Sequence, residues 1–333
     1  MPEIRRNIIT RQWVIIATER ARRPDQFRSD DQLRVHLPAR VPTCPFCPGN
    51  EAQTPPETFR DPKKGKWKVR VVPNKFAALA AEGDLVRMHL GLKRTITGVG
   101  LHEVIVETPE HNLTLAQMED EDVARVLRTF LERYHAVLAD PRVEQVTLFK
   151  NHGPAAGTSI EHPHSQLIGT PIIPSEVIER LETALDFFNN SAGDCLFCVT
   201  RNDELEDRVR VIIESAHFAA FIPFAALSPF HTWIFPKRHS ASFGNIQPEE
   251  LSDLARVLRR LLRKLYDGLA DPDYNFTIRT APKESDRVKY YHWYLSVVPR
   301  VTKIAGFELG SGMFINTALP EASAEFLRGI EVE

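Results

Sequence analysis

The chain has 333 residues, 43% hydrophobic and 26% charged, enough for a sizeable core in about two domains or in one domain built from two similar halves. A net charge of −2 excludes the basic footprint of a nucleic-acid or membrane-surface binder, so neither partner is expected. Residues 1–6 lack the apolar core of a signal peptide, and no run of about 18 apolar residues suggests a membrane span, which makes a cytoplasmic location the default expectation.

In chain order, a strand is expected at 12–17, followed by the basic group Arg20, Arg22 and Arg23 before Pro24, either an anion site or a solvated loop. Cys44-Pro45-Phe46-Cys47 is a turn-rich knuckle that would present two thiolates to one metal. Alternating apolar residues predict strands at 67–72 and 102–107. A helix is expected over 115–138, with Thr114 and Gln117 as its capping box, and Asp140-Pro141 ends it. A strand at 143–149 then leads towards His162-Pro163-His164.

The second part repeats that order. Cys195-Leu196-Phe197-Cys198 is a second knuckle, strands are expected at 218–223 and 232–236, and a helix at 249–269 stops at the same Ala-Asp-Pro tripeptide. A strand at 274–279 leads to His292-Trp293. From the helix-ending aspartate to the histidine is 22 residues in one half (140 to 162) and 21 in the other (271 to 292). Such agreement argues for an internal duplication. The expected fold is α+β, two similar halves (1–180 and 181–333) with antiparallel sheets and helices packed on them, forming two sheets or one continuous sheet. The glycine-rich segment 306–315 reads as a loop or strand end near a ligand, and a short last helix closes at 328.

The duplication selects metal ligands. Cys44, Cys47, His111 and His162 form one set, and Cys195, Cys198, His239 and His292 the other, with 51 and 53 residues between the two histidines of each set. Each set is Cys2His2, the donor chemistry of a closed tetrahedral zinc site, so two structural Zn2+ per chain are expected. The spacing leaves His102 open as an alternative to His111. If His162 is a ligand, His164 has no metal role, and its counterpart in the second half is Tyr294. A neutral imidazole is a competent nucleophile at phosphorus near pH 7, provided its other nitrogen is held as a donor. Ser159, Gln166 and the backbone around Gly157 stand close in sequence as donors for developing phosphoryl charge, and Arg20 and Arg23 would add positive charge. No P-loop or Rossmann glycine pattern is present.

His162-Pro163-His164-Ser165-Gln166 resembles the H-P-H-x-Q signature of galactose-1-phosphate uridylyltransferases, a duplicated branch of the histidine-triad superfamily. The likeness runs from Arg20 to Pro24, through the first knuckle, Asn74-x-Phe76 and Asn151, to Gly306-Phe307-Glu308. It implies that His164 takes a uridylyl group from UDP-glucose and passes it to a hexose 1-phosphate, galactose 1-phosphate in that family, in a ping-pong cycle. It implies that Gln166 and Ser159 hold phosphate oxygens, that Asn74 and Phe76 line the nucleoside pocket, and that Arg20 and Arg23 approach phosphates. It also implies a homodimer in which Phe307 and Glu308 reach the partner's sugar site, and it favours His111 over His102 as ligand. Ser296 and Val298 stand where some bacterial members carry an H-x-H iron site, so that site is not expected. The second C-x-x-C and the Gly-Phe-Glu-Leu-Gly-x-Gly stretch at 306–312 instead resemble the branch that includes ADP-glucose phosphorylases, which transfer an adenylyl group to phosphate through the same histidine. The reading from a different class is a zinc-stabilised nucleotide-binding protein without catalysis.

Overall fold

The computed structural model describes residues 1–17, 24–28 and 37–332. Its strands and helices in chain order are β1 (Glu3–Arg6), β2 (Trp13–Ile16), β3 (Phe59–Asp61), β4 (Val69–Pro73), β5 (Arg87–Leu90), β6 (Lys93–Ile96), β7 (Leu101–Val106), α1 (Asp120–Leu138), β8 (Gln145–His152) and β9 (His164–Thr170). The chain continues with α2 (Ser175–Asn190), which spans the expected boundary at 180, then α3 (Leu196–Asp207), β10 (Val211–Glu214), β11 (Phe218–Phe221), β12 (Thr232–Pro236), α4 (Pro248–Leu269), β13 (Tyr274–Arg279), β14 (Tyr294–Pro299), α5 (Gly306–Ser311), β15 (Phe314–Asn316) and α6 (Pro320–Gly329). Among the described residues no helix is long and apolar enough to cross a membrane.

Of the two sheet arrangements expected, the continuous one is present. Ten strands pair antiparallel in the order β10-β11-β12-β14-β13-β8-β9-β7-β4-β3. Read inward from either end, the order is the same pattern of five, and the two copies meet where β8 pairs with β13, Asn151 opposite Asn275. One face of the sheet carries α1 and α4, whose apolar stripes (Leu127, Phe130, Leu254, Leu258) bury against Leu148, Leu167, Phe276 and Leu295. The other face carries both cysteine knuckles and two smaller apolar clusters, one around Phe46 and Val104, the other around Phe197 and Phe235. Strand alternation therefore decides which residues reach the chemistry: Leu167 points to the helices, His164 and Gln166 to the knuckle face.

Some elements differ from expectation. The helix expected from residue 115 starts at Asp120; Thr114 N–H and Oγ1 do bond Gln117 Oε1, at 3.2 and 3.0 Å, but they close a turn one step earlier. Asp120, Glu121 and Asp122 fill the real first turn, where the helix dipole favours anions. The 306–315 segment is the short helix α5 followed by β15, which joins β2 in parallel. Helices α2 and α3 were not expected, and Cys195 is the N-cap residue of α3, so the second knuckle opens a helix.

Candidate active site and metal centres

β9 begins at His164, directly after a loop that turns through Gly157 at φ +87°, a conformation that suits glycine. The His164 Nδ1–H donates to the His162 carbonyl at 2.8 Å, which leaves the lone pair on Nε2. Only 7% of His164 is exposed. Burial pushes its pKa below the ordinary value, the hydrogen bond to the His162 carbonyl opposes this, and the nearby Lys150 charge adds to the lowering. The ring is thus neutral at pH 7. Phe46 packs against it edge-on, ring centroids 5.4 Å apart.

Two cavities share Ile160 as a wall, and His164 lines the smaller of them. One, of about 430 Å3, is lined by Phe46, Val72, Asn74, Phe76 and Val104. The other, of about 200 Å3, is lined by His164, Lys150, Asn151, Gly153 and Thr158, and extends to His152 and Asp271. Two amides near them are held by their oxygens. Ala78 N–H donates to His102 Nδ1 at 3.2 Å, so His102 Nε2 carries the proton that it donates to Gln166 Oε1 at 2.9 Å. Asn275 Nδ2 on β13 donates to Asn151 Oδ1 at 2.8 Å. In both cases the NH2 end is the one left for an anion. Asn74 Oδ1 accepts the Phe76 N–H at 2.9 Å, which fixes the turn that presents Phe76, 86% exposed, at the rim of the larger cavity.

The structure thus gathers His164, Asn151, Asn74 and Phe76 around the two cavities, with Gln166 beside Asn74 (Asn74 Nδ2 to Gln166 Oε1, 3.4 Å). Gly157 lies close to Asn151, since a Cβ built there would stand 3.9 Å from Asn151 Nδ2. Ser159 is in the same loop but is exposed and lines neither cavity. Phe307 and Glu308 lie on α5, also outside both linings, where Glu308 Oε2 accepts its own helix's Ala305 N–H at 3.0 Å. Arg20 and Arg23 lie outside the described residues. Sequence reasoning missed Glu107, Lys150 and Asn275; among these only Lys150, next to Asn151 in an apolar strand, stood out as a charge in a buried pattern.

Beside the smaller cavity, whose lining includes His111 and His162, the donor atoms of Cys44, Cys47, His111 and His162 lie within 4.8 Å of one another, all four residues buried. Sγ-to-Nδ1 distances are 3.8 Å for Cys44–His162 and 3.6 Å for both Cys47–His111 and Cys47–His162. The edge of a tetrahedron with zinc-type bond lengths is about 3.6 Å, so the four residues fit such an ion. The His162 Nε2–H donates to the Thr108 carbonyl at 2.8 Å, and burial holds the ring at a pKa of about 4, so its Nδ1 lone pair faces the two cysteine sulfurs. His102 is occupied with Gln166 and Ala78 instead. In the second half, Cys195, Cys198 and His239 form the matching cluster. His292 Nδ1 stands 3.7 Å from Cys198 Sγ and 3.5 Å from His239 Nδ1, and its Nε2–H donates to the Pro236 carbonyl at 3.0 Å. The place of His164 is filled by Tyr294, stacked on Phe235 with centroids 4.8 Å apart.

Comparison with known proteins agrees with this geometry. Residues 1–174 match the family model of the galactose-1-phosphate uridyl transferase N-terminal domain, and residues 180–331 that of its C-terminal domain. The chain is 35% identical to an ADP-glucose phosphorylase of Arabidopsis thaliana over 99% of its length and 93% of that protein. It is 27% identical to a galactose-1-phosphate uridylyltransferase of Thermotoga maritima over the full length of both. Among solved structures, the Arabidopsis thaliana ADP-glucose phosphorylase with bound ADP-glucose superposes with a TM-score of 0.84 at 32% identity, covering all of both chains. The chain belongs to the galactose-1-phosphate uridylyltransferase family of nucleotidyltransferases.

Proposed function

We propose that the chain transfers a nucleoside monophosphate from a nucleotide sugar through a covalent bond to His164 Nε2. One observation carries this: the ring is locked as the Nδ1–H tautomer by the His162 carbonyl, with its lone pair on Nε2, and His164 lines the smaller of two cavities that share Ile160. In the first step Nε2 attacks the α-phosphorus. A P–N bond forms, the bond from that phosphorus to the bridging oxygen breaks, and hexose 1-phosphate leaves. In the second, an acceptor oxygen attacks the same phosphorus and releases the histidine. Asn151 and Gln166 amides support the developing charge on the phosphoryl oxygens, with Arg20, Arg23 and the Gly157 backbone as further candidates and Ser159 after a shift of its loop. The larger cavity beside Phe76 and Asn74 suits the nucleoside.

For the nucleotide, adenylyl transfer from ADP-glucose to phosphate has the firmer support, because the relative with 35% identity over nearly the whole chain carries that name. Uridylyl transfer from UDP-glucose to galactose 1-phosphate is the second reading, supported by Pro163 between the histidines and by relatives near 27% identity. In both, the 1–180 half holds the nucleophile, and the 181–333 half holds the second metal and the exposed α5. A homodimer would bring Phe307 and Glu308 to a partner's sugar site. The two Cys2His2 sets would each hold a zinc ion, which supplies fixed geometry to the fold rather than a reacting group.

The test is incubation with ADP-glucose and with UDP-glucose, each radiolabelled at the α-phosphate, followed by denaturation. Label from one donor is expected to stay on the wild-type protein and to be absent from His164→Gly. Label retained by His164→Gly would remove this histidine as the nucleophile.

A further inference from the structure

Directly beneath His164 the sheet buries an ion pair. Lys150 Nζ on β8 lies 2.6 Å from Glu107 Oε2 and also donates to the His164 carbonyl at 3.2 Å. Ser165 Oγ donates to the second Glu107 oxygen at 2.5 Å. The Lys150 and Glu107 side chains are 1% and 0% exposed. Glu107 N–H donates to the Pro163 carbonyl at 3.2 Å, and the adjacent Thr108 carbonyl takes the His162 ring N–H. These residues therefore hold the Pro163 and His164 carbonyls, the Ser165 hydroxyl and, through Thr108, the His162 ring.

The duplicated fold supplies its own control. Val106 stands opposite His164, and Phe149 opposite Gln166, which brings Lys150 level with Ser165. In the second half, Ile234 and Ile278 both stand opposite Leu295, the residue after Tyr294. With Tyr294 as the counterpart of His164, Ser165 corresponds to Leu295 and Lys150 to Ile278. Glu107 corresponds to Pro236 by register, or to Phe235 by the carbonyl that holds His292. All of these are apolar and buried. One copy of the fold thus closes this position without charge. Apolar residues of similar size generally serve stability as well as a buried ion pair or better, so stability does not account for the pair. The feature that distinguishes the two copies here is His164.

The geometry points to Lys150, Glu107 and Ser165 as a positioning group that fixes the 162–165 backbone and hence the aim of His164 Nε2 during transfer, an inference that rests on the transfer reading above. Lys150 holds the His164 carbonyl, while the His162 carbonyl, two residues earlier, holds the His164 ring N–H. A shift of this segment would move Nε2 off the line of attack, and a misplacement of about 1 Å can cost up to about 100-fold in rate.

The experiment uses Lys150→Met/Glu107→Gln, which removes both charges at similar side-chain length, and Ser165→Ala, which removes one hydrogen bond and no charge. Each is compared with the wild-type chain in thermal midpoint, in KM for the nucleotide sugar, in the single-turnover rate of label transfer to protein, and in the His164 ring tautomer by nitrogen NMR. For the double variant, midpoint and KM are expected to change little while single-turnover label transfer slows by about 10- to 100-fold. The single Nδ1–H tautomer is expected to be lost. Ser165→Ala should show the same split with a smaller loss, and Lys150→Arg, which keeps the charge, should retain more activity than Lys150→Met. Folded variants with the wild-type rate and tautomer would overturn the proposal, and so would a rate loss that only tracks loss of folded protein. If the wild-type chain takes no label, the transfer reading fails, and the tautomer comparison still decides whether this group positions His164.

Discussion

His162 and His164 sit two residues apart and are given opposite ring orientations by one backbone. His162 donates from Nε2 to the Thr108 carbonyl, so its Nδ1 faces the cysteines; His164 donates from Nδ1 to the His162 carbonyl, so its Nε2 carries the lone pair. That His162 and not His164 stands with the cysteines was legible in the sequence, because only His162 has a histidine counterpart, His292. The carbonyls that set the tautomers were not, since they depend on how β7 and β9 pair. The same holds for His102 and His111, which spacing alone left open. His111 Nδ1 lies 3.6 Å from Cys47 Sγ, whereas His102 bonds Gln166. His111→Ala is therefore expected to lose about one of two bound metal equivalents, measured by elemental analysis of the purified protein. His102→Ala should keep both and slow transfer by about 10-fold by releasing the Gln166 amide, on the scale of an orienting partner. A lost metal in His102→Ala would contradict the placement.

At the level of elements, the long helices and most strands followed from period, because α1 and α4 each show one apolar stripe and the strands alternate. α3 escaped because it has almost no apolar stripe and a C-x-x-C at a helix start reads from sequence as a turn, whereas α2 does carry a helical spacing in Val177, Leu181, Ala184 and Phe188 that sequence reasoning missed. Close packing of helix on sheet is also invisible to period. Gly169 on β9 faces α1, and a Cβ there would lie 2.5 Å from Val137 Cγ1 and 3.0 Å from Val143 Cγ2. Both neighbours are β-branched and have little rotamer freedom to give way. Gly169→Ala is expected to destabilise the chain by about 1–3 kcal/mol in denaturant unfolding. Adding Val137→Ala should return part of that loss, and an unaffected single variant would show that α1 can slide.

A second contact ties α4 to the turn between β10 and β11. Asp253 Oδ2 accepts from Ser215 Oγ at 2.7 Å and from His217 N–H at 2.8 Å, and Oδ1 accepts from Arg256 at 3.0 Å. Burial would raise the Asp253 pKa, but the two hydrogen bonds and the arginine outweigh it and hold the carboxyl below its ordinary value. A lowered folded-state pKa means that the stabilisation is full above the unfolded value of about 4 and is lost as pH falls through the folded one. Asp253→Asn should therefore cost about 1–3 kcal/mol at pH 7, with a difference from wild type that shrinks below about pH 4. A difference independent of pH would rule out this account.

Over the whole molecule, the repeat was readable from two knuckles and two histidine returns, but the joining of the copies was not. The β8–β13 ladder pairs strands more than 120 residues apart, and no local pattern encodes which edge of one half meets the other. The two metal sets look alike in sequence and differ in burial. Cys44, Cys47, His111 and His162 are all buried, and the knuckle sits over the β4–β7–β9 part of the sheet. In the other set His239 is exposed and Cys198 is partly so, while Cys195 and His292 are buried. Metal release requires water or chelator to reach the ligands, so the second set is expected to exchange first. Since ions bind the folded state and not the unfolded one, each loss lowers stability by mass action. Titration with a chelator should then remove one metal equivalent at low concentration with His164 labelling still intact. A second equivalent should follow only under harsher conditions, together with loss of labelling, because the proposed ligand His162 also supplies the carbonyl that holds His164. His239→Ala should reproduce the first stage alone, with one metal and near-wild-type labelling. Simultaneous loss of both metals, or labelling that disappears with the first, would mean that the two copies are coupled through the shared sheet more tightly than their separate burial implies.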